Sequence, residues 1–145
     1  MPRDERAREL GRGWAEAADR QLELARTAFE RGMWNEAVAL AAAAVERYLK
    51  AVLIGQNTAF EYTHNIDRLL TRQPDDLRQA VTHVLSPRMR QQLTDGGTVA
   101  RYPSGPSYTP EECLLSVEAA TAVRRVLQSA EPDLRPREAP ADGAS

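Results

Sequence analysis

The stretch ARYPSGPSYTPEE, residues 100–112, carries side chains suited to holding a phosphate. Arginine presents a planar fork of N–H donors to phosphate oxygens, and a tyrosine ring offers a face on which a base can stack. Pro103 restricts Tyr102 to an extended conformation, so Arg101 and Tyr102 should project to opposite sides of the backbone. We predict that Arg101 binds a nucleotide or RNA phosphate beside Tyr102 or Tyr108. The alternative is that Arg101 anchors the loop to an acidic group such as Asp19, with Tyr102 filling the end of the fold.

A second group of polar residues lies in the middle of the chain. Glu46 and Lys50 are one helical turn apart in an otherwise apolar segment that also contains Tyr48. This patch could bind phosphate, or Glu46 and Lys50 could form a salt bridge at the edge of the apolar face. His64 precedes a predicted helix, where it could contact a nucleotide or a partner, or tie the loop to neighbouring backbone. Lys50 and His64 therefore join the predicted phosphate-binding residues.

The composition of the chain argues against several classes of protein. The net charge of −2 is not that of a typical nucleic-acid binder, and Lys50 is the only lysine among 19 basic residues. Cys113 is the single cysteine, which excludes an intramolecular disulfide and a cysteine-based zinc site. No run approaches the roughly 18 apolar residues of a membrane span, and the N-terminus lacks the apolar stretch of a signal peptide. We expect a cytoplasmic protein with no membrane contact, no metal and no cofactor.

Helical signals account for most of the chain. Apolar residues recur at steps of three and four from about Asp4 to Arg31, and Gly32 supplies a stop signal. A second helix is predicted over about residues 34–54, where the four alanines 41–44 would let a neighbouring helix approach closely. A third helix is predicted at IDRLLTR, and a further helix is predicted to begin at Pro74 and end at about Leu85.

The remaining signals concern the C-terminal half. A short helix, MRQQL, is predicted to end before Asp95-Gly96-Gly97, and a long irregular connection from Thr94 to Tyr108 should precede the last helix. Thr109 and Glu112 form a capping box for that helix. We predict an all-α, up-and-down bundle of four to five helices with a long loop before the last helix. One domain should cover residues 1–130, with a disordered tail over 131–145.

Four sequence segments together resemble the HEPN domain family, over about residues 14–127. They are Trp14 with Asp19 in the first helix, GMWNEAVALAAAAVERYLKAVL in the second, THNIDRLL at the entry to the third, and ARYP followed by YTPEE before the last. The resemblance implies a helical bundle that forms homodimers and acts beside nucleotides or RNA. It also implies pairing with a minimal nucleotidyltransferase in a two-component system of the toxin–antitoxin type.

Other members of the family are metal-independent ribonucleases that use an arginine followed, after four to six residues, by a histidine. In such a nuclease the histidine acts as acid or base around the ribose 2′-hydroxyl, and the arginine stabilises the phosphate. The family motif lies near the start of the last helix, where this chain has no histidine; its two histidines are His64 and His83. Arg78 and His83 have the required spacing, but on one continuous helix they would lie about 140° apart around the axis.

Two hypotheses follow. The first is a non-catalytic subunit that binds a nucleotide or RNA, forms a homodimer and pairs with a nucleotidyltransferase. The second is a metal-independent ribonuclease toxin using Arg78 with His83, or Arg101 with His64 brought together by the fold. We favour the first, because the last helix lacks the histidine.

Overall fold

The computed structural model describes residues 3–98 and 107–135. Within these ranges the chain forms six α-helices and no strand, which confirms the predicted all-α bundle. The helices are α1 (Arg3–Glu30), α2 (Trp34–Gly55), α3 (Ile66–Thr71), α4 (Asp75–Val84), α5 (Pro87–Thr98) and α6 (Pro110–Ala130). A 3-10 helix over Pro132–Leu134 follows α6. None of the helices so described is long and apolar enough to cross a membrane.

The α1–α2 pair is the centre of the bundle. Gly32, with a φ of 73°, ends α1 as predicted, and Met33 donates its N–H back to the carbonyl of Ala28 at 2.9 Å. Near the other end Gly11 touches the backbone of α2, where a Cβ would lie 2.8 Å from the Ala51 carbonyl oxygen and from the Gly55 Cα. The glycine therefore sets the close spacing of the two helices.

The remaining helices pack around α2. It contacts α3, α5 and α6 as well as α1, and α4 packs on α6. The largest cluster of buried apolar side chains draws residues from all six helices. Because α2 lies at the centre, most of its length is buried and its few polar side chains must find partners.

The start of α6 follows the prediction. Glu112 donates its backbone N–H to Thr109 Oγ1 at 3.1 Å, and its own carboxylate accepts the N–H of Thr109 at 3.0 Å. This capping box uses only residues three positions apart, so local sequence was sufficient to predict it.

The expected end of the short helix at Asp95-Gly96-Gly97 is wrong. The helix α5 continues through both glycines to Thr98, so the irregular connection cannot begin at Thr94. Gly96 serves close packing, because a Cβ there would lie 2.7 Å from Val38 Cγ1, whereas a Cβ on Gly97 would make an ordinary contact with Ala42 Cβ at 3.7 Å. Gly96 therefore lets α5 approach α2 at Val38. Residues 99–106 of the connection, which include Arg101 and Tyr102, lie outside the described residues.

The C-terminal segment differs from the predicted tail at its beginning. Leu134 is buried and lies against Gly55, and the carbonyl of Asp133 accepts from Arg12 Nε at 3.1 Å. Residues 131–135 thus fold back against α1 and α2, because one leucine supplies the apolar anchor that composition alone did not indicate. Residues 136–145 of the predicted tail lie outside the described part of the chain.

Candidate phosphate-binding site

A buried lysine marks the candidate site. Lys50, on the seventeenth position of α2, is only 5% exposed, and its Nζ lies 3.3 Å from Glu46 Oε1. The predicted pairing of these two side chains is confirmed. A lysine is almost never this buried unless its charge is compensated, so Glu46 accounts for its presence within the fold.

The loop between α2 and α3 brings two more side chains to this pair. His64 Nδ1 donates to Glu46 Oε1, the same oxygen that Lys50 contacts. The Tyr62 ring lies over the lysine, with its centroid 5.2 Å from Nζ, at the distance of a cation–π contact. Tyr62 and His64 also meet edge to face, with ring centroids 5.3 Å apart. We call Glu46, Lys50, Tyr62 and His64 the lysine cluster.

Local hydrogen bonds hold the loop in this position. Asn65 caps α3 by accepting the N–H of Arg68 at 3.1 Å, and Thr63 Oγ1 accepts the N–H of Asn65 at 3.0 Å. Thr94, on α5, accepts the N–H of Ile66 at 3.1 Å. His64 therefore lies between Thr63 and Asn65, which share a hydrogen bond. Asn65 caps α3, and α3 is hydrogen-bonded to α5 through Thr94.

The outer side of the lysine cluster is formed by an exposed Tyr62 ring and a half-buried His64. Tyr62 is 85% exposed, and its hydroxyl reaches His64 Nε2 only at 3.4 Å, longer than an ordinary hydrogen bond. Lys50 has three N–H donors, and Glu46 occupies one of them. An arriving oxyanion that moves the Tyr62 ring aside would meet the remaining N–H donors of Lys50, and it would displace the cation–π contact and a long tyrosine–histidine contact. The exposed ring beside it offers a stacking face.

A second group of polar side chains joins three helices. Asp19 Oδ1, on α1, accepts from the Tyr48 hydroxyl at 2.5 Å and from Arg124 Nε, on α6, at 2.8 Å. Burial, followed by the hydrogen bond to Asp19, raises the pKa of Tyr48, whose side chain is 1% exposed. The hydrogen bond to the same carboxylate raises the pKa of Arg124 against the opposing effect of burial. We call Asp19, Tyr48 and Arg124 the three-helix cluster.

The three-helix cluster corrects one expectation from sequence. Tyr48 does not belong with Glu46 and Lys50, because it lies two positions from Glu46 and so about 200° around α2. It faces α1 and α6 instead. Asp19, the acidic group suggested as an anchor for Arg101, accepts hydrogen bonds from Tyr48 and Arg124; Arg101 itself lies outside the described residues.

Comparison with known proteins places the chain in a family. A profile of the HEPN domain matches residues 12–130. The chain belongs to the HEPN family. Its structure is similar to the crystal structure of ST0689, an archaeal HEPN homologue, at 25% sequence identity and a TM-score of 0.62. That match covers 90% of this chain and 98% of the other. Comparison with curated protein sequences finds no match.

The arginine–histidine spacing of HEPN ribonucleases is present only along α4. This helix is continuous from Asp75 to Val84, so Arg78 and His83 lie about 140° apart around its axis. Arg78 instead donates to Asp75 Oδ1 at 2.6 Å, and His83 is exposed. Within one chain these two side chains do not converge on one phosphate.

Tyr108 lies far from the lysine cluster of this HEPN domain. Its N–H donates to Asn35 Oδ1 at 2.9 Å, near the start of α2. Asn35 and Lys50 are fifteen positions apart, or about 22 Å along the helix. Burial, with smaller contributions from Asp95 and Glu112, raises the pKa of Tyr108. Its hydroxyl is enclosed and has no hydrogen-bond partner among the residues described. Tyr108 and Lys50 therefore cannot hold the same phosphate group.

Tyr62 is not among the site residues that the sequence predicts, although it lies beside His64 in the fold. The available signal was alternation in the loop: Tyr62 and His64 are two positions apart, so in extended backbone they project to the same side. The contacts of Tyr62 with Lys50 and of His64 with Glu46 depend on how the loop returns along α2, which no local pattern indicates. Among the described residues no group of histidine, cysteine and acidic side chains is placed to hold a metal ion.

Proposed function

We propose that this HEPN-domain protein is a non-catalytic, homodimeric binding and assembly subunit that holds a nucleotide or RNA phosphate at Lys50 and His64. Its partner in this proposal is a minimal nucleotidyltransferase, in a two-component system of the toxin–antitoxin type. The observation that carries the phosphate site is the almost fully buried Lys50 ammonium beside the exposed Tyr62 ring.

The charges of the lysine cluster support binding rather than cleavage. The Glu46 carboxylate faces the Lys50 ammonium and the His64 imidazole, and it leaves two of the three ammonium N–H donors to receive an anion. Glu46 fixes both side chains, which reduces the entropy lost when they bind a ligand. Arg78 and His83 lie elsewhere on α4, and neither makes a contact with this group in the described structure.

Binding is tested by titrating ATP and, separately, a labelled mixed-sequence single-stranded RNA. Lys50→Met keeps the length of the side chain and removes the charge, and Tyr62→Ala removes the stacking face. We expect each substitution to weaken binding about tenfold or more, which corresponds to about 1.4 kcal/mol. Arg78→Gln is the matched control, because it removes a cation on α4 and should leave affinity unchanged. Equal binding by the wild type and Lys50→Met would overturn the assigned site.

Cleavage is tested on the same RNA in the presence of EDTA. The proposal expects intact RNA after incubation with the wild type. Cleavage that disappears in His83→Ala or His64→Ala would replace the proposal with a ribonuclease and identify its histidine.

The protein partner is tested by coexpression with a nucleotidyltransferase encoded in a neighbouring reading frame, followed by size-exclusion chromatography. A complex that elutes as one species supports the assembly role. Separate elution of two folded proteins would remove this partner from the proposal and leave the phosphate site to be judged by its own titrations.

A further inference from the structure

The first helix carries two mainly apolar stripes, and the described part of the chain covers only the inner one. The inner stripe packs in the bundle and consists of small residues and one leucine: Ala7, Gly11, Ala15, Ala18, Leu22, Ala25 and Ala28. The outer stripe is Leu10, Trp14, Ala17, Gln21 and Leu24, and its centre lies roughly 90° around the helix from the inner one. Leu10 is 56% exposed, Leu24 is 53% exposed and Trp14 is 39% exposed.

The spacing of the outer stripe is that of a helix–helix seam. Its members follow one another at steps of four, three, four and three residues, which is the pattern that meets a second helix along its length. Isolated exposed apolar residues need no explanation, but a periodic row that includes a tryptophan indicates an interaction surface.

Gly13 supplies an independent observation on the same face. It lies in the interior of α1, where glycine costs about 0.5–1 kcal/mol relative to alanine. A Cβ at this position would meet nothing within 4 Å, so nothing in the described chain requires the glycine. A second helix packing closely on this face would require it, as α2 requires Gly11 on the inner side.

The charges beside the stripe indicate what occupies it. Leu10, Gly13, Trp14 and Ala17 form the floor of a groove, with Glu9 on one wall and Arg47, from α2, on the other. A twofold axis parallel to α1 exchanges the two walls between copies, so the Arg47 wall of one copy meets the Glu9 wall of the next. A twofold axis perpendicular to α1 would instead place like charges together. The groove is therefore self-complementary in one orientation, which is what a symmetric pair of identical chains requires.

We propose that the outer face of α1 is the homodimer interface, with a second copy of this chain docked about a twofold axis parallel to α1. The inference rests on the homodimer in the proposed function and adds to it the surface and the symmetry. Trp14 and Leu10 bury against their counterparts, and the Arg47 and Glu9 walls pair across the axis.

The test is sedimentation equilibrium of the full chain and of variants whose helical content is checked by circular dichroism. Trp14→Glu should raise the dimer dissociation constant at least about 30-fold, as for a central interface residue. Leu114→Glu is the matched control, since Leu114 on α6 is also 39% exposed, and it should leave dimerisation unchanged. A dimer that survives Trp14→Glu, or that Leu114→Glu weakens equally, overturns the assigned face while leaving the homodimer intact. A monomeric wild type would overturn both.

The symmetry is tested by charge reversal. Arg47→Glu and Glu9→Arg should each weaken the dimer several-fold, and the double variant should restore most of the lost affinity, because the reversed walls again attract. Two weakened single variants with no recovery in the double variant would overturn the parallel twofold axis. Gly13→Ala gives a further test. If a second copy packs closely on this face, the substitution should weaken dimerisation; if the face is unoccupied, it should stabilise the helix and leave association unchanged.

Discussion

The lysine cluster and the three-helix cluster both contain polar side chains of α2, yet they differ in what surrounds them. In the three-helix cluster, Asp19 receives one donor from each of two other helices, and Tyr48 is completely enclosed. In the lysine cluster, Glu46 holds a buried ammonium and an imidazole beneath a tyrosine ring that is mostly in water. In the first arrangement the buried tyrosine hydroxyl and the carboxylate satisfy each other; the second has an ammonium with two further N–H donors and an exposed aromatic face. We therefore expect the first to govern stability and the second to govern binding.

The largest effect is expected from Asp19→Ala. The substitution leaves the Tyr48 hydroxyl buried without its acceptor and removes the carboxylate that pairs with Arg124, so the free energy of unfolding should fall by about 2–3 kcal/mol. Urea denaturation measures it. Glu23→Ala, at an exposed acidic residue of the same helix, is the control and should cost less than about 0.5 kcal/mol. Equal losses in the two variants would remove the distinction between the clusters.

A smaller loss is expected from Tyr48→Phe. It deletes one hydroxyl while Asp19 keeps its hydrogen bond to Arg124, so the cost should be about 1 kcal/mol. The same denaturation experiment measures it, and the phosphate affinity at Lys50 should be unchanged. A loss of ligand binding in this variant would show that the two clusters are coupled through α2.

The pH dependence of stability should report the burial of the Tyr48 hydroxyl. Burial and Asp19 raise the pKa of Tyr48 above its ordinary value of 10.0. Above pH 10 the unfolded chain releases this proton while the folded chain retains it, so unfolding becomes more favourable as the pH rises. Denaturation midpoints between pH 8 and pH 11 should therefore fall more steeply for the wild type than for Tyr48→Phe. Parallel slopes would mean that Tyr48 is not held neutral by the fold.

The smallest effect on stability is expected from Tyr62→Ala. The ring is mostly in water and contributes one cation–π contact and one edge contact, so the loss should be within about 0.5–1 kcal/mol. Thermal denaturation gives the value, and the titrations with ATP and RNA give the comparison. If this substitution unfolds the chain as Asp19→Ala is expected to, Tyr62 belongs to the structural group instead of the site.

Features that depend on residues close together in the chain were predictable from the sequence, and features that depend on distant residues were not. The capping box at Thr109 and the turn at Gly32 involve neighbours within a few positions, so the sequence indicated both. Gly96 and Gly97 looked like a helix end because glycine is a weak helix former, and only the position of Val38 explains why the helix continues. Leu134 was likewise read as part of a tail, since a single leucine shows its role only where it meets Gly55.

The residues of the candidate site also differ in whether their contacts were predictable from the sequence. The Glu46–Lys50 pair was predictable because helical geometry places residues four positions apart side by side. The separation of Tyr48 from that pair follows from the same geometry, although the polar character of the three residues suggested one patch. The contacts of Tyr62 with Lys50 and of His64 with Glu46 depend on the course of the loop after α2, and the separation of Tyr108 depends on where α6 begins.

The helical class, most helix boundaries and the family resemblance follow from the sequence, because periodicity, capping and chain order are local properties that do not depend on the packing. The packing of the helices establishes which polar residues of α2 share a partner, that Gly11 and Gly96 serve close packing, and which stripe of α1 the described residues leave exposed. These outcomes depend on contacts between residues far apart in the chain, and such contacts form when the helices are placed against one another.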